Sequence, residues 1–425
     1  MPDRFTRRGF LLGAAGTAGA LAAGAWRWRR ADASLPPPGA SGIDHIVVVT
    51  MENRSFDHFL GWLPGANGRQ SGLTYLDAQG SPHATHPLAP DFQGCGHPDP
   101  DHSYAGGRVE YDGGACDGWL RAGSNDDYAI GYYTDHDLAF LGRAAADWTT
   151  LDGYFAAIMA ETYPNRVYLH AAQTDRLSNT TTLSTLPTIW DRLAAAGVSG
   201  RYYYSDVPFL ALWGARYVGI GRPFAAFLTD CAAGTLPAVS YVDPRFLDEQ
   251  SGTSGDDHPH ADIRNGEAFL NSVYAAVTRS PAWGRTLLVI TYDEWGGFFD
   301  HVPPDVAPVP PADAALGSDG RRGFRVPCLL VSPWATRRTV SSATLDHTSI
   351  LRTIEWRWSL PPLTVRDANA GNLADVLDLN SANLAAPVYP VPSGPFGVPC
   401  TDQATTSEWT ALRSLATANG WPSAG

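Results

Sequence analysis

The chain has 425 residues, with 30 basic residues, all of them arginine, against 43 acidic ones, for a formal net charge of −13. So acidic a surface excludes sequence-independent binding to nucleic acid or to anionic membranes, although a local arginine or metal ion still allows an anionic substrate. Apolar residues make up 44 % of the chain, with 14 Trp, 17 Tyr and 16 Phe, ample for one large domain or two ordinary ones.

From the N-terminus, TRRGFLL (Thr6–Leu12) sets paired arginines ahead of an Ala/Gly-rich stretch, Phe10 to Ala25, then Arg27, Arg29, Arg30 and the small residues of ADAS. This resembles a twin-arginine export signal over residues 1–33, and the apolar stretch is short for a membrane span. It predicts export by the twin-arginine translocase to a secreted, periplasmic or cell-wall-associated location, with at most peripheral membrane contact. Removing it takes away six arginines and two aspartates and leaves the mature chain more acidic still. Residues 34–43, containing PPPGASG, read as a linker, and a single domain is expected over 44–425.

Strand-like runs recur at Ile46–Thr50, Ser199–Tyr204, Ala238–Val242, Thr286–Tyr292 and Val326–Ser332. Between them lie helical patterns at 187–197, opened by Pro and closed by Gly, at 263–280, with Ala268, Phe269, Val273, Ala276 and Val277 on one face, and at 346–358 behind an Asp cap. The alternation predicts an α/β fold around a largely parallel sheet. Residues 62–135, rich in Gly, Asp, His and Pro, read as a long loop-rich insertion, and SEWTALRSLATANG as a terminal helix. Of five cysteines, Cys95 and Cys116 are the first candidate disulfide and Cys328 a buried thiol.

The chemistry gathers where the strands end. VVVTMENRSFDHFLG (47–61) runs from buried strand into Glu52–Asn53, and TLLVITYDEWGGFFDHVPP (286–304) into Asp293–Glu294 followed by two glycines. Carboxyl ends of strands in open α/β sheets face one crevice. Glu52, Asp293 and Glu294 converging there repel unless a positive charge lies between them, and with the Asn53 amide they suit a hard divalent cation. In ETYPNRVYLHAAQ (161–173), Pro164 suits the first turn of a helix, with Thr162 just ahead of it as a cap or a nucleophile beside an anion site. Asn165 and Arg166 follow, both suited to phosphate oxygens. His102, His258 and His301 sit in polar Gly/Pro/Asp-bracketed loops and are expected to line the site; His260 and His347 are weaker candidates. Tyr104, Tyr111, Trp119, Tyr128, Tyr132 and Tyr133 could form a choline- or lipid-facing surface, but more often such residues are loop packing.

With MENRSFDHF, TYPNR, DDHPH and YDEWGGFFDHVPP in that order, the chain resembles the bacterial and plant phosphoesterase family over about Asp44–Trp358. That family contains non-haemolytic phospholipases C and a group of acid phosphatases, and it shares the core of the alkaline phosphatase and sulfatase superfamily. The resemblance implies an alkaline phosphatase-like three-layer α/β/α fold. It implies Thr162 as nucleophile, one divalent metal ion (Ca, Mg, Mn or Zn) held by Glu52, Asn53, Thr162, Asp293 and Glu294, and proton transfer by His102, His258 and His301. The implied substrate is a phosphate ester, a phospholipid diester ahead of a monoester. Threonine at the nucleophile position agrees with the phospholipase C branch and cannot supply the formylglycine a sulfatase needs. Intact positions weigh against a non-catalytic binding protein.

Overall fold

β-branched and aliphatic runs that must be covered on both faces form the middle of the molecule. In the computed structural model, which describes residues 35–400 and 408–423, these are β1 (His45–Met51), β2 (Thr149–Leu151), β3 (Gly200–Tyr204), β4 (Gly221–Pro223), β5 (Val239–Asp243), β6 (Thr286–Tyr292), β7 (Cys328–Val331) and β8 (Thr339–Ser341). They make one eight-stranded sheet in the order β8–β2–β7–β6–β1–β5–β3–β4. Pairings are parallel except those of β7, which runs antiparallel to β6 and to β2. Central β6 is buried at every residue. The expected export signal lies outside the described residues.

Helices cover both faces, giving a three-layer α/β/α domain. Thr162–Ala171 packs against Ile189–Ala195 and His347–Trp358, while Phe224–Ala233 packs against Ile263–Thr278, which lies on β6. The buried stripe of Ile263–Thr278 is Leu270, Val273, Tyr274 and Val277, rotated from the face expected through Ala268 and Ala276. Gly266 explains the rotation: a Cβ there would stand 1.9 Å from Asp257 Oδ1, so only glycine lets the helix seat on that side. The short strands β2, β4 and β8 carry too few residues for a periodic signal.

The expected linker is ordered from Pro38, with Ile43 buried and its carbonyl accepting a hydrogen bond from Arg357 Nε. The insertion holds two small ladders, Thr74–Leu76 with Pro82–Ala84 and His86–Pro87 with Gly131–Tyr132. Its Trp119, Tyr128 and Tyr133 are fully buried, so these aromatics are core and not a ligand surface. The disulfide joins Cys95 to Cys400, not to Cys116, which is a buried free thiol. The extended C-terminal segment returns to the insertion, where Gln93 donates to Val398 O and accepts from Val398 N–H, and this brings the two cysteines within 5.2 Å at Cα. Cys328 is buried and free, as expected.

Candidate active site

Parallel register decides what reaches the carboxyl edge of the sheet. Met51 lies opposite Tyr292 and Val49 opposite Val242, so Glu52, Asp293 and Asp243 leave three neighbouring strands together. Arg166 ties all three: its Nε is 2.9 Å from Glu52 Oε1 and from Asp293 Oδ2, and its Nη1 is 3.2 Å from Asp243 Oδ1. The positive charge that the converging carboxylates demand therefore comes in part from the chain itself. This corrects the placement of Arg166 against phosphate, because a buried guanidinium among three carboxylates has its donors committed. Asn165 is likewise turned inward. Its Oδ1 accepts from Ile158 N–H, and its Nδ2 donates to Ile158 O and Ala160 O, which fixes the turn ahead of the helix.

Asn53 adopts the left-handed conformation, φ +58°, which asparagine tolerates better than most residues. A Cβ on Gly296 would stand 2.2 Å from Asn53 O, and one on Gly297 2.6 Å from Pro100 Cβ. The two glycines after Asp293–Glu294 thus let that loop lie against both the Asn53 turn and the loop bearing His102. Thr162 is the first residue of its helix, so Pro164 stands further inside the first turn than expected. Its buried Oγ1 is 3.4 Å from Asn53 Oδ1. Asn179 caps this helix from outside: Tyr163 N–H donates to Asn179 Oδ1 at 2.7 Å, and Asn179 Nδ2 donates to Glu408 Oε1 at 2.8 Å. The Tyr163 hydroxyl donates to Glu408 O at 2.9 Å.

Several polar atoms here are buried without a hydrogen-bond partner: Glu52 Oε2, Asn53 Nδ2, Asp99 Oδ1, Glu249 Oε1 and Glu294 Oε1. Such groups are costly unless a partner reaches them, a cation or donor for the carboxylate oxygens and an acceptor for the amide. Burial pushes Glu52 well above the usual carboxylate range; Asp293 pushes it further and Arg166 opposes. Burial does the same to Glu249 and Glu294, with Asp256 adding to the first and His102 opposing in the second. Ligand atoms of Glu52, Glu249 and His258 lie within 4.8 Å of one another, and so do those of Asp99, His102 and His258. A desolvated, oxygen-rich set with free lone pairs fits a divalent cation. Of the expected ligands, Glu52 and Glu294 keep free oxygens, while the unpartnered atom of Asn53 is its Nδ2, a donor, and its Oδ1 accepts from Thr162 Oγ1. Asp293 does not: Oδ1 accepts from Asn53 N–H and Glu294 N–H, and Oδ2 from Arg166.

His102 and His258 lie together, ring centroids 6.3 Å apart. Each fixes Nδ1 on a backbone carbonyl, Pro100 O at 2.7 Å and Pro259 O at 2.8 Å, and turns Nε2 toward a carboxylate. His102 Nε2 is 4.0 Å from Glu294 Oε1, and His258 Nε2 is 3.6 Å from Asp99 Oδ2. Burial would lower the His102 pKa, but Glu294 and Asp99 raise it to about 10. A cleft of about 330 Å³, lined by Asp99, Asp101, His102, Ser103 and Glu161, opens beside them.

His301 stands in another constellation, with Nδ1 2.5 Å from Asp57 Oδ2 and Nε2 3.1 Å from Asn67 Oδ1. Asp57 and Asp300 there are paired with buried Arg325, so none of the His301 partners is shared with Thr162. His347 Nε2 holds Asp293 O at 2.5 Å, and His260 Nε2 holds His97 O at 3.0 Å. Arg54 and Ser55 brace the Glu52 turn, through Asp257 O and Phe299 O. Sequence reasoning missed Asp99, Asp243, Glu249 and Asn179. Asp243 ends an apolar strand as Glu52 and Asp293 follow theirs, a signal that was there to read; Glu249 and Asn179 carry none.

A mostly parallel sheet whose carboxyl edge presents a buried hydroxyl at a helix start, among free carboxylate oxygens and two imidazoles, has the groups a hydrolase site needs. The phosphoesterase family's sequence profile matches residues 43–361, and the chain belongs to that family, as a hydrolase acting on phosphoric ester bonds. It is similar to phospholipase C B of Mycobacterium tuberculosis, 33 % identical over 92 % of this chain and 88 % of that one. It is also similar to non-specific phospholipase C1 of Arabidopsis thaliana, 32 % identical over 77 % and 70 % respectively. Among solved structures, a Vibrio parahaemolyticus protein of the alkaline phosphatase superfamily aligns with a TM-score of 0.38 at 10 % identity, over 83 % of this chain and 75 % of that one.

Proposed function

We propose that the chain is an exported, metal-dependent phosphodiesterase of the phospholipase C type, acting through a phosphothreonyl intermediate. One observation carries the reading: Thr162 Oγ1 is buried at a helix start, 3.4 Å from Asn53 Oδ1, beside carboxylates whose outer oxygens have no other partner. The phospholipases C among its relatives support the diester over the monoester.

A divalent cation held by Glu52, Asn53 and Glu294 would acidify the Thr162 hydroxyl and offset charge on a phosphoryl oxygen. Thr162 gives up its hydroxyl proton to solvent, and Oγ forms the bond to phosphorus as the bond to the leaving alcohol breaks on the opposite side; hydrolysis restores that proton. The departing oxygen takes a proton from His102, which lines the cleft, or from His258 beside it. Water then hydrolyses the phosphothreonine and returns a proton to the same pair. Arg166 and Asp293 hold the ligands in place, and His301 braces the Asp57 turn without touching substrate.

Export rests on the Arg7–Arg8 pair and the Ala/Gly-rich stretch after it. Among the described residues no helix is long and apolar enough to cross a membrane. The test is a paired assay on metal-reloaded protein with p-nitrophenylphosphorylcholine and p-nitrophenyl phosphate. Faster diester cleavage, abolished in Thr162→Ala with metal content retained, is the expected result. Faster monoester cleavage would make the chain a phosphomonoesterase, and full activity in Thr162→Ala would sink the covalent route.

A further inference from the structure

We infer that Glu110 is a positioning residue for hydrolysis: its carboxylate joins the loop that carries His102 to the loop that carries Glu294, and so sets the distance between a proton donor and a metal-holding oxygen. The inference rests on the roles proposed above for those two residues and adds a third that touches neither substrate nor metal.

No step of the hydrolysis uses Glu110, yet the residue is fully buried, on the insertion's helix Gly106–Tyr111. A carboxylate with no exposure is costly unless its oxygens are bonded. Both are. Trp295 Nε1 donates to Oε2 at 2.7 Å, and Asn125 Nδ2 donates to Oε1 at 3.4 Å. Trp295 directly follows Glu294. Asn125 Oδ1 in turn accepts from Asp101 N–H at 2.6 Å, and Asp101 directly precedes His102. Glu110 is thus one hydrogen bond from the Glu294 loop and two from the His102 loop.

The gap between the loops calls for such a link. His102 Nε2 and Glu294 Oε1 are 4.0 Å apart, too far to bond each other, so what lies behind each loop decides their separation. Shape works with the bonds. A Cβ on Gly106 would stand 2.3 Å from Asp101 Cγ, and one on Gly107 2.8 Å from Trp295 Cζ2, so the head of the Glu110 helix lies against both loops at once. The indole and the amide are both donors, which two carboxylate oxygens satisfy and the single oxygen of a glutamine does not.

The test compares two leaving groups. Protein saturated with a divalent ion is assayed on the p-nitrophenyl and phenyl esters of whichever class, diester or monoester, it cleaves faster. Phenolate is the poorer leaving group and depends more on a proton from the enzyme. In Glu110→Gln, kcat should fall about tenfold on the phenyl ester and less than about threefold on the p-nitrophenyl ester, with KM little changed. Trp295→Phe keeps the ring, removes the N–H and should show the same split; it carries the test if Glu110→Gln does not fold. The double variant should lose no more than the more affected single one, since both changes cut one link. Far-UV circular dichroism and metal content check that each variant is folded and loaded. Equal losses on the two esters, losses that multiply in the double variant, or full kcat in the single variants overturn the inference. Thr162→Ala, run beside them, separates this outcome from the proposed function: if it is inactive while Glu110→Gln keeps its full kcat, the covalent route stands and Glu110 is a structural residue of the insertion.

Discussion

Replacing Arg166 by methionine tests whether the chain's own cation holds the carboxylates of the site. Methionine keeps most of the buried volume and removes a guanidinium bonded to Glu52, Asp293 and Asp243 at 2.9, 2.9 and 3.2 Å. Breaking a buried ion pair by deleting one partner costs about 3–5 kcal/mol, because the charge left behind has no compensation. With an unfolding entropy near 2.1 cal/mol/K per residue, a domain of this size should lose roughly 4–6 °C in Tm. The measurement is thermal unfolding in chelator and again with a saturating divalent ion. In chelator the full loss is expected. With the ion present the loss should shrink, since a second positive charge then faces Glu52. Arg166→Lys, which keeps the charge but not the fork, should fall between the two. A shift in chelator of under about 1 °C would show that the carboxylates do not depend on Arg166.

The stability should also depend on pH through Glu267 and Asp257, which burial raises to about 8 and about 7. A carboxyl protonated when folded and ionised when unfolded loses stability as pH rises from the unfolded value through the folded one, so Tm should fall between about pH 5 and pH 8. Glu267→Gln, which preserves an acceptor for Phe140 and Leu141 N–H, should flatten that fall, as read by scanning fluorimetry across the range. Cys400→Ser opens a bridge between residues 305 apart and should cost about 2–5 kcal/mol, with reductant lowering the Tm of the unsubstituted protein alike. Asn179→Ala frees the Tyr163 amide at the nucleophile's turn and should lower kcat about tenfold, equivalent to 1.4 kcal/mol, with KM little changed. Gly296→Ala drives a Cβ against the Asn53 carbonyl and should weaken metal binding, read by titration of stripped protein.

What the sequence made legible follows from the range of each signal. Strands such as Thr286–Tyr292 and helices such as His347–Trp358 are long, periodic and capped, so composition located them within a residue or two. The carboxylates after β1 and β6 were legible because charge at the end of a buried strand is costly to desolvate unless a counter-charge or ligand meets it. The partner of Arg166 was not. TYPNR shows an arginine next to a candidate nucleophile, and nothing local reveals that three strand ends will fold around it. The Cys95–Cys400 pairing failed for the same reason: loop proximity favoured Cys116, while the true partner arrives on a segment tied down by Gln93. Histidines divided likewise. His102 and His258 meet at the site, whereas His301 answers to Asp57, a residue whose reach depends on Arg325 from a distant part of the chain.

The external cap on the Thr162 helix has a consequence for biosynthesis. Tyr163 and Asn179 are held by Glu408, and Trp409 stacks on Phe246 at 3.8 Å, so a segment 245 residues further along the chain steadies this turn. All strands of the sheet precede Glu408 in the chain, so the turn that orients Thr162 cannot reach its final support until the segment at Glu408 has been synthesised. Contacts this distant in sequence form slowly. A chain not yet extended through Glu408 therefore has every strand of its sheet in hand but lacks the outside support of the Thr162 turn.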